Sequence, residues 1–436
     1  IISEQVTPGT SSVIVVSHFN GAAAEITRAG RQAEEGDSGY IKTLESYIET
    51  HRKIVEELTG ITKTFEEIDG IQEIITSLQQ YLRGIYLLKD LSPKSLQMLV
   101  NLTGKLAGII VVAALKGRGT EARFVESHEL ITVKEPDNGI KIDQEQTGVK
   151  TRKALAGLEK VAVVSGSEVF YEGESFFLEN GAADRVATSI AVSLDAAELQ
   201  IWRTVDGILT ADPANIEKSS SIGLIGYEEA IELSRSGTKF FSASALEIAR
   251  DASLTIRVKN SCNPGFSGTV ISDTHESEKS GVTGISSIPE VSLFKIEIKK
   301  DLLLPGRIIN EISAEGIPVL LLLLSFTEKL LSIAVNRKDS HKIRLLIERE
   351  FEKEIRTGEI AFVGEQTEVS LLSVLKQNIC GTPGVAGDVF AALGKSGINV
   401  LAISMGSSET SLSLIVRKED LSTSVSVIHD LLFSGD

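Results

Sequence analysis

Short uninterrupted apolar runs alternate along the chain with longer stretches in which apolar residues recur at helical spacing. Val13-Ile14-Val15-Val16 has the length of a strand, and its lack of alternation predicts burial on both faces. Ile41, Leu44, Ile48, Val55 and Leu58 mark one helical face, and Ile71, Ile74, Leu78, Leu82 and Ile85 mark another. Ala122 to Val125 and Val161-Ala162-Val163-Val164 predict further strands. Ile109-Ile110-Val111-Val112 fits either helix or strand, since it follows Gly104 and enters an Ala-rich stretch. Strands separated by helices predict a largely parallel α/β sheet through about residue 270.

The polar stretch Ser272 to Ser287 fits a surface loop or a linker, and the change of pattern beyond it favours a domain boundary. After it the chain repeats itself. Gly316-Ile317-Pro318-Val319-Leu320 is answered by Gly397-Ile398-Asn399-Val400-Leu401, an offset of 81 (397 − 316) that also carries Glu328 onto Glu409 and Ser332 onto Ser413. Pro-Gly and an amphipathic helix precede each copy. The pattern predicts two tandem βαββαβ ferredoxin-like units, with a groove for a small ligand.

Composition narrows the function. Of 436 residues, 44 are Lys or Arg and 60 are Asp or Glu, a formal net charge of −16. A phosphate surface would repel such a chain, so neither nucleic acid nor an anionic membrane is an expected partner. The two cysteines exclude a disulfide framework, and no Cys/His spacing suggests a metal site. The longest apolar run, Ile317 to Leu324, is far below the roughly 20 residues that span a bilayer. No basic-then-apolar leader follows Ile1, and a soluble cytoplasmic protein whose true N-terminus is trimmed or not included is expected.

The chemistry-bearing motifs are few. Trp202 to Gly207, followed by Asp212-Pro213, predicts a strand end opening into an acidic loop, where α/β sheets bind ligands. Asp206 and Asp212 could hold a metal–nucleotide or cap turns. Asn180 to Asp184 could open a helix toward an anion or be an ordinary helix start. Gly237-Thr238-Lys239 could present its lysine to a phosphate. None of the six histidines has the neighbours of a triad.

Together these segments resemble the aspartokinase family, with the kinase part of bifunctional aspartokinase–homoserine dehydrogenases the nearest likeness. The family's Trp-Thr-Asp-Val-Asp-Gly and Asp-Pro-Arg are similar to Trp202–Gly207 and Asp212-Pro213-Ala214. Its Tyr-x-Glu-Ala-x-Glu-Leu-x-x-x-Gly-Ala-Lys is similar to Tyr227 through Lys239, and its Lys-Asn-x-x-Asn-Pro-x-x-x-Gly-Thr is present as Lys259 to Thr269. The second repeat resembles the family's second ACT unit at Phe390–Leu393, Ile398-Asn399-Val400 and Gly406–Glu409. The resemblance implies an amino-acid kinase domain at 1–271, a linker at 272–287 and a tandem ACT regulatory domain at 288–436. It implies MgATP-dependent phosphorylation of aspartate, an amino-acid effector and a homodimer formed through the ACT units.

It also assigns site residues. Ser17 and Asp184 stand at catalytic positions, and Asp206, Gly207, Asp212 and Lys239 at nucleotide positions. Asn399, Ser407, Ser408 and Glu409 stand at effector positions, with Leu324 and Met405 where threonine-sensitive relatives carry a glutamine. Other positions depart from the family. The Lys-Phe-Gly-Gly segment is missing; Ala23 replaces a threonine; Leu102-Thr103-Gly104 replaces Arg-Gly-Glu; Asn180 replaces the substrate arginine and Ala183 a serine. Arg203 and Thr204 replace Thr-Asp, Leu209 a tyrosine and Ala214 an arginine. These changes predict a weakly active or inactive kinase, or else a non-catalytic amino-acid-sensing or assembly subunit.

Overall fold

The computed structural model describes residues 11–433, apart from 60–63, 135–139, 158–159, 179–180, 217, 239, 274–283, 300–302, 377, 380 and 406–409. The chain forms two compact units: residues 1–199 with 244–255, and residues 200–243 with 256–436.

The first unit opens with β1 (Ser12–Val16), followed by four long helices: α1 (Ala22–Glu34), α2 (Gly39–Thr59), α3 (Ile71–Leu88) and α4 (Pro93–Gly117). β2 (Ala122–Glu126), the single turn α5 (Ser127–Leu130), β3 (Val133–Lys134), β4 (Lys141–Ile142) and α6 (Gln144–Ala154) lead to β5 (Val161–Ser165). The hairpin β6 (Glu168–Tyr171)–β7 (Glu174–Phe177) and α7 (Ala182–Ser193) complete this stretch. β1, β5 and β2 form a parallel sheet in that order. Ile14, Val16, Val161 and Val163 pack with Val112 and Leu115 of α4. Val13, Val15, Ala162 and Val164 pack on the other side with Val186 and Ile190 of α7. Coverage on both faces is why these strands read as unbroken apolar runs.

Ile109–Val112 is helical. It lies in α4, started by Ser92, whose Oγ accepts the Ser95 N–H, and by Pro93 at the first position. α4 is long and apolar enough to cross a membrane by composition alone, but Leu99, Leu106 and Ile110 are fully buried in the core shared with α1, α2 and α3. Gly104 and Gly108 let α4 press against the sheet. A Cβ on Gly108 would lie 2.4 Å from Phe124, and one on Gly104 3.2 Å from Ser165 Oγ.

β8 (Leu199–Arg203) leads into the second unit, with the small antiparallel ladder β9 (Ile208–Leu209)–β10 (Ser221–Ile222), then β11 (Leu224–Ile225) and α8 (Tyr227–Arg235). After α9 (Ala243–Asp251), which belongs to the first unit, come β12 (Ile256–Asn260) and β13 (Thr269–Ile271). These strands form a mixed sheet, β11-β13-β12-β8, in which β12 runs antiparallel to β13.

The remainder is a six-stranded sheet, β15-β16-β14-β17-β19-β18. Its elements are β14 (Gly284–Ile298), α10 (Leu304–Ala314), β15 (Val319–Ser325), β16 (Leu330–Asn336), α11 (Ser340–Glu350), α12 (Glu352–Thr357), β17 (Ile360–Leu375), α13 (Val385–Lys395), β18 (Ala402–Met405), β19 (Ser411–Arg417) and α14 (Leu421–Phe433). β14 therefore begins inside the stretch expected to be linker. The ferredoxin-like halves are not sequential blocks either. Val291–Glu297 of β14 pair with β16, whereas Gly284–Ile288 pair with Leu371–Leu375 of β17, which also pair with β19. Each half borrows part of a long strand from the other. The register shifts between Ile288 and Val291, where Pro289 can donate no ladder hydrogen bond.

The 81-residue repeat survives in the pairing itself. Leu324 opposes Leu331, and Met405 opposes Leu412; Leu323 opposes Ser332, and Ser404 opposes Ser413.

Candidate functional site

In the first unit, β1, β5 and β2 end level with one another: Val16 and Glu126 both pair with Ser165. Ligands of parallel α/β sheets bind beyond such carboxyl ends. Ser17 follows β1, is exposed, and lies 3.1 Å from His18 Nδ1 through its Oγ. Gly104, at the position of the family's glutamate, is packed from the helix side, and its carbonyl accepts the Ser165 hydroxyl at 2.6 Å. The glycine serves the close approach of α4, so a longer side chain there would have to displace Ser165.

The same strand ends carry a polar cluster that no motif signalled. Lys105 Nζ lies 2.6 Å from Glu126 Oε2 and 3.4 Å from Glu168 Oε2. His128 Nδ1 is 3.3 Å from Glu126 Oε2, and its ring meets Phe170 edge-on. Glu168 also accepts Ser175 Oγ at 2.7 Å and Asn101 Nδ2 at 3.5 Å, while Asn101 Oδ1 accepts the Ser167 N–H at 2.8 Å. A donor atom from each of Glu126, His128 and Glu168 lies within 4.8 Å of the others, the spacing of a divalent-cation site. The Lys105 ammonium already fills the cationic role, so a metal ion would have to displace it. One lysine between two carboxylates leaves no surplus positive charge for an anionic ligand. The available sequence signal was Asn101, four residues before Lys105 and buried in a long apolar helix.

Asp184 sits in the first turn of α7, where a carboxylate is favoured by the helix dipole. Asn180 lies outside the described residues.

In the second unit two of the motifs expected on the nucleotide side, Trp202–Gly207 and Lys259–Thr269, come together. Asp206 accepts Asn260 Nδ2 at 2.8 Å and Asn263 Nδ2 at 3.2 Å. Gly207, at φ +74°, packs where a Cβ would lie 2.4 Å from Thr269 Oγ1. That hydroxyl accepts the Ile208 N–H at 2.7 Å and donates to Ile222 O. Asp212 is exposed and makes a turn: its Oδ1 accepts the Ala214 N–H at 2.9 Å. Arg203 donates to Phe240 O at 2.6 and 2.9 Å, and the Lys259 ammonium lies 5.1 Å from the Trp202 ring centroid. Lys239 lies outside the described residues. Gly237 holds its segment against β14, for a Cβ there would meet Ile288 at 2.5 Å.

Of the effector candidates, Leu324 and Met405 occupy matching positions on the edge strands β15 and β18. Their side chains are 40% and 43% exposed, beside exposed Leu322, Phe326 and Ile403. Asn399 is exposed just before β18, and Ser407, Ser408 and Glu409 lie outside the described residues.

Comparison with known proteins places this geometry. The model of the amino acid kinase family matches residues 1–260, and an ACT domain model matches 372–432. A bifunctional aspartokinase/homoserine dehydrogenase of Buchnera aphidicola is 27% identical over 380 residues, covering 85% of this chain and 46% of the relative. The chloroplastic aspartokinase 1 of Arabidopsis thaliana is 28% identical over 445 residues, covering 98% and 76%. The chain thus spans less than half the length of the bifunctional relative. Escherichia coli aspartokinase III, solved with aspartate and ADP, superposes with a TM-score of 0.83 at 19% identity over 97% of this chain and 93% of that one. Clostridium acetobutylicum aspartate kinase gives 0.70 at 20% identity, with the same coverage. The fold is shared throughout, the family model covers more than half of the sequence, and the chain belongs to the amino acid kinase family as a member of the aspartokinases.

Proposed function

We propose that this aspartokinase-family protein of the aspartate pathway phosphorylates aspartate weakly or not at all. The carrying observation is the Lys105 clamp. Phosphoryl transfer to a carboxylate needs cations and amide donors facing the anions, and at these strand ends the lysine is held by Glu126 and Glu168. A hydrogen bond to a charged group contributes roughly 1.5–3 kcal/mol, so loss of the family's arginine and glutamate at positions 180 and 104 costs on the order of a thousandfold in rate.

ATP, Mg and aspartate are the ligands to test, since the Escherichia coli relative was solved with aspartate and ADP. On the nucleotide side, Asp206 accepts hydrogen bonds from Asn260 and Asn263, and Asp212 from the Ala214 N–H of its own turn, so MgATP would compete with those contacts. An ADP-release assay with ATP, magnesium and aspartate decides the matter: turnover at ordinary kinase rates, above about 1 per second, would refute the proposal.

A second reading, a non-catalytic amino-acid-sensing or assembly subunit, is favoured by the matched apolar face of β15 and β18. That face suits an apolar amino-acid effector or a second copy of the chain, giving a homodimer through the ACT units. Thermal stabilisation by threonine, lysine or methionine without turnover would support it. We divide the chain functionally into a kinase domain at 1–271 and a tandem ACT domain that takes in all of β14 from Gly284.

A further inference from the structure

The segment that follows Asp206-Gly207 is built into the core of the second ACT unit. Ala211 and Ile216 are buried among Leu412, Leu414, Val425 and Ile428. Thr210 is the node of this junction. Its N–H donates to Ser220 O at 2.8 Å, its carbonyl accepts the Ile285 N–H at 2.7 Å, and its Oγ1 accepts the Ser220 N–H at 3.1 Å. The same hydroxyl lies 3.1 Å from Nε2 of His429, a buried residue of α14 stacked on Phe433 at 4.6 Å.

The Ser220 N–H takes one lone pair of Thr210 Oγ1, and among the described residues the hydroxyl proton finds an acceptor only in a bare Nε2. A neutral imidazole with its proton on Nδ1 is therefore the state in which both the hydroxyl proton and Nε2 are satisfied. We propose that His429 is a positioning residue for the Thr210–Ser220 contact, where the nucleotide-side segment meets the ACT core, holding that contact while neutral and releasing it when protonated. A proton on Nε2 would face the Thr210 O–H. The hydroxyl would have to turn away and lose its acceptor, and a charge would be buried against Phe433. Two charged groups face the imidazole: Asp430, next on α14, favours its protonation, and Lys218, from the loop itself, opposes it. Burial is the larger influence and holds the imidazole below its usual pKa. The inference uses the proposed nucleotide role only to say what the loop serves; the contact exists whether or not the kinase is active.

Hydrogen exchange at the Thr210 and Ser220 amides of the full chain, corrected for the intrinsic pH dependence of exchange, tests this without any nucleotide. Between pH 7.5 and 5.5 the wild-type protection should fall roughly tenfold, the scale of one hydrogen bond. His429→Gln, which keeps an acceptor near the Nε2 position and cannot be protonated, should stay protected at both values. Thr210→Val should be loosened at both and show no further fall. Equal wild-type protection at the two pH values, or a fall in His429→Gln as large as in wild type, would overturn the proposal.

Discussion

The clearest single-residue test concerns Lys105. Removing its ammonium leaves Glu168 nearly buried with only neutral donors, Asn101 and Ser175, and leaves Glu126 beside a second carboxylate. Lys105→Met should cost about 2–4 kcal/mol, toward the lower end because Glu126 keeps some exposure to water. Pairing it with Glu168→Gln should recover much of the loss; urea denaturation of the two variants measures the coupling. Histidines set the acid limit. His51, buried on α2 with Nδ1 on the Tyr47 carbonyl at 2.8 Å, is held below its usual pKa by burial, against smaller upward pulls from that carbonyl and from Glu25. A histidine with a depressed folded pKa is fully compatible with folding above about pH 6.5. Below that value the unfolded chain takes up the proton first. With His429 shifted in the same direction, thermal stability should fall steadily from pH 7 to pH 5, and a flat profile would contradict it. Asp206 could be anticipated from its motif as a ligand or turn residue, though not its pairing with Asn260 and Asn263. The Lys105 clamp could not, because its members come from α4, β2 and β6 and meet only when the sheet forms.

At the scale of elements, two glycines in long helices should respond oppositely to the same substitution. Gly84 in α3 has nothing within 4 Å of an added Cβ, so Gly84→Ala should stabilise by about 0.5–1 kcal/mol through helix propensity. Gly108 in α4 meets Phe124 at 2.4 Å, so Gly108→Ala should destabilise by about 1–3 kcal/mol through overpacking. Calorimetry on both would show whether α4 rests on the sheet as closely as described. The strands β1, β2 and β5 were legible because burial on both faces leaves a continuous apolar run. The helical state of Ile109–Val112 was ambiguous because α4 is apolar around most of its girth there. The halves of the ACT sheet were legible as a repeat, down to the matching strand positions of Leu324 and Met405. Their shared strands were not, since a strand carries no local mark of which neighbour it will join.

For the molecule as a whole, the compact units do not follow the boundary at Ser272. The β9–β10 hairpin belongs with the ACT sheet through Ala211, Ile216 and the Thr210–His429 contact. A fragment of residues 288–436 should therefore melt well below the intact chain and less cooperatively, lacking both Gly284–Ser287 and the apolar residues of the hairpin. Residues outside the sheet matter here because buried apolar area, rather than chain order, sets the cooperative unit. The interlocked strands β14 and β17 have a consequence for how such a domain can be transferred. Neither ferredoxin-like half can be cut out without taking a piece of its twin's ladder, so the pair is excised or grafted only as a single cassette.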